Sequence, residues 1–81
     1  MNFLIIDDEV EACRNLQNII QNYIDTDINI VGWAHNTVEA EEKINLLKPD
    51  AIFLDIDMPK ENAFEFLERI YPFTFEIIFV T

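Results

Sequence analysis

The stretch Lys48-Pro49-Asp50-Ala51-Ile52-Phe53-Leu54-Asp55 holds a helix stop, a short apolar run and a carboxylate, in that order. Four consecutive apolar residues between turn formers read as a strand buried on both faces. The same arrangement opens the chain, where Phe3-Leu4-Ile5-Ile6 runs into Asp7-Asp8. Parallel α/β sheets bind ligands outside the carboxyl ends of their strands. If the two strands are neighbours, three carboxylates converge on one crevice. Their mutual repulsion is then relieved most simply by a hard divalent cation held through oxygen ligands.

Outward from this stretch, apolar runs alternate with amphipathic ones, the pattern of a βαβ array. Asp8 with Glu11 reads as a capping box opening a helix that carries Val10, Cys13, Leu16, Ile20, Tyr23 and Ile24 on its apolar side, with Asp25-Thr26-Asp27 as its stop. A second strand is expected around Ile30 to Ala34. Asn36 and Glu39 form another capping box, and the helix they open runs to about Leu47, with Val38, Ile44 and Leu47 towards the sheet. Asn62 with Glu65 opens a third helix bearing Phe64, Phe66, Leu67 and Ile70, and Tyr71-Pro72-Phe73 ends it. Ile77-Ile78-Phe79-Val80 is a fourth strand, followed by Thr81.

At 81 residues the chain is one domain, residues 1–81. Its 51% hydrophobic content is too high for disorder, despite a net charge of −11 from 16 acidic and 5 basic residues. That charge argues against direct contact with nucleic acid or an anionic membrane. Cys13 has no second cysteine to pair with, which suits a reducing, cytoplasmic setting. No signal peptide is legible, and the apolar runs are too short to span a bilayer. Three helices cannot cover both faces of a four-stranded sheet evenly, and the fourth strand has no protected edge. We therefore expect the N-terminal part of a longer domain, prone to self-association through that strand.

Several residues have plain readings. One aspartate of Asp7-Asp8 serves as an N-cap; the other does not need to. His35 reads as a surface loop residue, Cys13 as core on the first helix, and Trp33 as packed, or as a partner contact if exposed. Phe64, Phe66, Tyr71, Phe73, Phe75 and Phe79 read as mostly core, with some becoming exposed if covering elements are lacking.

Taken together, Ile5-Ile6-Asp7-Asp8-Glu9, the run from Lys48 to Pro59 (KPDAIFLDIDMP) and Ile77-Ile78-Phe79-Val80-Thr81 resemble the successive motifs of CheY-like response-regulator receiver domains. The resemblance covers the whole chain. It implies an α/β, flavodoxin-like fold with a parallel sheet in the order 2-1-3-4. It implies a two-component phosphoacceptor module, not an enzyme in its own right, that takes a phosphoryl group from a sensor histidine kinase and switches an output such as transcription. By the family's roles, Asp55 accepts the phosphoryl group and Thr81 contacts it. Mg2+ is held by Asp8 directly, by Asp7 mainly through water, by Asp55 and by the backbone carbonyl of Asp57. The wording Phe73-Thr74-Phe75-Glu76 is similar to receivers that carry a LytTR-type DNA-binding domain.

There are departures from the family pattern. The family's lysine at the end of a fifth strand has no counterpart, since Lys60 comes too early. The fourth helix, fifth strand and fifth helix are absent, as is the residue after Thr81. Ala63 stands where the family usually has glycine, which implies a less extreme backbone angle or some strain. Two other readings compete. Asp55-Ile56-Asp57 also resembles the nucleophile motif of haloacid-dehalogenase-type phosphatases, although Met58-Pro59 continues it poorly. The third is a receiver-like dimerisation module that is not phosphorylated.

Overall fold

A computed structural model describes residues 1–23 and 27–80. Seven elements follow one another: β1 (Asn2–Ile6), α1 (Val10–Tyr23), β2 (Asn29–Ala34), α2 (Thr37–Leu47), β3 (Ala51–Asp55), α3 (Ala63–Ile70) and β4 (Glu76–Val80). The four strands form one sheet in the order β2-β1-β3-β4, and every neighbouring pair is parallel. This is the expected order. Ile6 pairs with Leu54 across β1 and β3, so the two strands run out level with each other.

The strands alternate between two apolar layers, as the two-residue period of a strand requires. Leu4, Ile6, Ile52 and Leu54 point to the side of α2 and α3, where they meet Ala40, Ala63 and the fully buried Phe66. Phe3, Ile5, Ala51 and Phe53 point to the other side and meet Cys13 and Ile20 of α1. Two helices thus cover one face and one covers the other. At the β4 edge the cover runs out: Ile78 and Phe79, on opposite faces, are 44% and 43% exposed. Phe79 leans on Phe64, their ring centroids 5.3 Å apart.

Helix faces correct several expectations. The inward line of α2 is Thr37, Ala40, Ile44 and Leu47, at helical spacing. Val38 is about 120° of helix rotation away from Ile44 and lies exposed. In α3 the inward line is Ala63, Phe66, Leu67 and Ile70, so Phe64 sits one step off and is exposed. In α1, Cys13, Leu16 and Ile20 pack, while Val10 and Tyr23 at the two ends are exposed. Ile24, Asp25 and Thr26 lie outside the described residues. Of the aromatic group, Phe66 alone is buried; Tyr71 is exposed, and Phe73 stacks on Phe75 at 4.7 Å beside the end of α3. Tyr71, Phe73 and Phe75 follow the last turn of α3, and Phe75 packs against the same apolar cluster as Ile44 and Leu47 of α2.

The caps explain where the helices begin. The box of Asn62 and Glu65 is complete, each side chain accepting from the other residue's amide, at 2.9 and 3.0 Å. The box on α2 is half formed. Asn36 accepts from the Glu39 amide at 2.8 Å, but Glu39 turns to the amide of His35 instead. No capping bond by Asp8 is found among the described residues. At that corner Asp7 Oδ1 accepts from the Glu9 amide at 3.0 Å. The left-handed backbone of this region falls at Lys48 (φ 47°), which closes α2, and at Lys60 (φ 71°); Ala63 is free of it.

Candidate functional site

Asp7 and Asp8 leave the end of β1, and Asp55 is the last residue of β3. Because these strands are adjacent, in register and parallel, one carboxylate oxygen from each of the three lies within 4.8 Å of the others. Asp7 and Asp55 are half-buried and Asp8 is exposed. The two half-buried carboxylates are held alike, by turns in which a side chain accepts from an amide two residues on. Glu9 donates to Asp7 Oδ1 at 3.0 Å, and Asp57 donates to Asp55 Oδ1 at 3.2 Å.

Electrostatics follow from this crowding. The carboxyl of Asp55 is pushed above its ordinary range, first by burial and then by the charges of Asp7 and Asp8, against the pull of the Asp57 amide. Burial and the charge of Asp7 likewise push the Cys13 thiol up to about 11. Three hard oxygen donors with mutually raised energy are a fitting seat for a small divalent cation such as Mg2+, which takes few carboxylates and keeps water ligands.

The main chain around the site is braced. The Asp7 amide donates to the Ala34 carbonyl at 2.9 Å, and the Ile56 amide to the Val80 carbonyl at 3.2 Å, so the ends of all four strands are tied together. The loop from β3 to α3 is braced as well. Arg69 holds both oxygens of Glu61 at 2.8 and 2.9 Å and reaches Glu41 on α2 at 2.6 Å. Arg69 and a bond from Thr37 keep the Glu61 carboxyl below its usual range.

The carboxylate of Asp57 is exposed and outside the group of three. Thr81 lies outside the described residues. Lys60 is exposed in the β3–α3 loop. His35 is the residue the sequence reading missed. It is half-buried, and its Nδ1 meets the Asp7 carbonyl at 3.0 Å. The available signal was topological: with β2 next to β1, the residue after β2 must lie beside the residue after β1. Trp33 is half-buried against the α1 side, its indole N–H donating to Gln17 Oε1 at 2.7 Å.

Comparison with known proteins matches the profile of the response regulator receiver domain to residues 3–81. The chain belongs to the response-regulator receiver family. Among curated relatives of this receiver, an uncharacterized response regulatory protein of Vibrio cholerae is 40% identical over 82 residues, covering 100% of the chain and 34% of the relative. The transcriptional regulatory protein BtsR of Escherichia coli is 41% identical over 69 residues, covering 85% of the chain and 28% of that protein. The receiver thus spans about a third or less of these relatives' length. The response regulator domain of Thermotoga maritima CheB superposes with a TM-score of 0.79 at 33% identity, over 98% of this chain and 58% of that one. The N-terminal domain of a Methanoculleus marisnigri receiver protein, at 24% identity and a TM-score of 0.83, shares the fold.

Proposed function

We propose that this receiver accepts a phosphoryl group on Asp55 from the phosphohistidine of a sensor kinase. In this reading Asp7, Asp8, Asp55 and the main-chain carbonyl of Asp57 hold Mg2+. The observation that carries the proposal is the convergence of three carboxylates within 4.8 Å at the carboxyl ends of two adjacent parallel strands. The Asp57 amide fixes Asp55 through Oδ1 and leaves Oδ2 as the attacking atom. A phosphorus–oxygen bond forms as the phosphorus–nitrogen bond to the donor imidazole breaks, and the electron pair departs with that ring. The cation, when bound, neutralises the acidic cluster and the charge of the incoming group. Thr81 contacts a phosphoryl oxygen in the modified form.

The output in this reading is transcriptional and of the LytTR type that Phe73-Thr74-Phe75-Glu76 resembles; the similarity to the transcriptional regulatory protein BtsR supports the transcriptional part. A dehalogenase-type phosphatase would use the Asp57 carboxylate as its acid-base, and that carboxylate is outside the cluster. We also propose that the open edge of β4, with Ile78 and Phe79 exposed on its two faces, pairs with a second copy of the chain.

The test is intact mass after incubation with Mg2+ and acetyl phosphate. One phosphoryl adduct is expected, absent when chelator is present during the incubation and absent from Asp55→Asn. An equal adduct on that variant would remove Asp55 from its role.

A further inference from the structure

The main chain of Asp7 is held on both sides of its Cα. Its amide donates to the Ala34 carbonyl at 2.9 Å, and its carbonyl meets His35 Nδ1 at 3.0 Å and Cys13 Sγ at 3.8 Å. A carbonyl oxygen can only accept, so the His35 proton on this contact is on Nδ1. Of the two donors on that oxygen, the imidazole is the nearer and the stronger. The Asp7 side chain leaves the Cα between these two peptide groups, and its carboxylate is turned by the Glu9 amide. A swing of the Asp7–Asp8 peptide plane turns that Cα and so moves one of the three oxygens of the cluster.

His35 is itself well placed to resist such a swing. Its amide donates to Glu39 Oε1 at 3.2 Å, and Glu39 pairs with Lys43 at 3.5 Å. Lys43 Nζ also reaches the Trp33 carbonyl. The Trp33 ring meets the imidazole edge-on, with centroids 6.4 Å apart and planes at 74°, and its own N–H is tied to Gln17 of α1. The imidazole is thus located by β2, α1 and α2 together, and it transmits that location to one peptide of the acidic loop.

We propose that His35 is a positioning residue for divalent-cation binding, acting on Asp7 through the Nδ1–H bond to its carbonyl. This rests on the reading that Asp7, Asp8 and Asp55 take a cation. Groups that orient a metal ligand without touching the metal commonly contribute tenfold or more to affinity.

Titration calorimetry with Mg2+ on the whole chain tests it, using Asp8→Asn, His35→Leu and His35→Asn. The asparagine amide nitrogen occupies the place of Nδ1 and keeps the donor; leucine fills similar space without one. Wild type should bind, and Asp8→Asn should lose most binding. His35→Leu should weaken binding about tenfold. His35→Asn should stay within about twofold of wild type, with Asn and Leu variants melting alike in chelator, since a packing role would be lost in both. Wild-type affinity in His35→Leu, or an equal fall in both variants, overturns the positioning role. Unchanged binding in Asp8→Asn, or none in wild type, overturns the cation reading and the proposal with it. If His35→Leu fails to fold by circular dichroism, His35→Ala is read in the same way.

Discussion

Without a cation, the Asp7–Asp8–Asp55 cluster is a built-in source of instability, and Asp55→Asn should remove much of it. At the 4.8 Å limit each like-charge pair costs roughly 0.9 kcal/mol with full water screening and roughly 3.5 kcal/mol at an effective dielectric of 20. Asp55 takes part in two such pairs and is half-buried at an open site, so the screened end applies. Allowing for salt, the variant should be more stable than wild type by about 1–2 kcal/mol at neutral pH in chelator. For a domain of this size that is a rise in Tm of about 5–10 °C. Mg2+ at ten times its Kd should return about 1.4 kcal/mol to wild type and less to the variant, closing most of the gap. The pH dependence has a definite sign. The native Asp55 carboxyl is raised above its ordinary 3.8, so the folded state holds that proton to higher pH than the unfolded one. The wild-type penalty is therefore present above the raised native value and fades as the pH falls through it towards 3.8. Differential scanning calorimetry of both proteins, with and without Mg2+, measures all of this. A variant that melts at or below wild type in chelator at neutral pH would refute the reasoning.

Three further outcomes are expected. Sedimentation velocity should show wild type associating as concentration rises and Phe79→Lys shifting towards monomer, because a charge on β4 blocks pairing; a concentration-independent wild-type monomer would contradict the edge proposal. Asn62→Ala removes the side-chain oxygen that caps the Glu65 amide on α3, leaving the main-chain bond to Glu65 in place, and should lower stability by about 1 kcal/mol in urea titration; an unchanged midpoint would show that this cap contributes nothing. With its thiol raised to about 11, Cys13 is thiolate in on the order of one molecule in a thousand at pH 8, so iodoacetamide should label the folded protein far more slowly than the urea-unfolded one. Comparable rates would show that the thiol is neither buried nor raised.

The strands and their acidic ends were legible because they rest on local rules. Phe3 to Ile6 and Ala51 to Leu54 are continuous apolar runs, and both are the buried centre of the sheet. The Asn62 and Glu65 box formed as read, being contained within four residues. Val38 and Phe64 were misread because hydrophobicity alone does not say which residues a helix turns inward. Small Thr37, Ala40 and Ala63 do that here, letting the helices approach the sheet. The half-formed box on α2 was diverted because the His35 amide competed for Glu39, a contact that depends on where β2 ends.

By itself, the sequence determined that apolar runs ending in carboxylates alternate with amphipathic stretches, and its ordered motifs pointed to the receiver family. Both properties are written in neighbouring residues. Only the tertiary structure decided that one oxygen each of Asp7, Asp8 and Asp55 comes within 4.8 Å of the others, because that depends on β1 and β3 pairing in register across some fifty residues. It alone also set His35 against the Asp7 carbonyl, since that contact depends on β2 lying on the other side of β1. The turns that hold the Asp7 and Asp55 carboxylates are local, but the bonds that set one loop of the site against another join residues distant in the chain, and no local pattern of side chains encodes those.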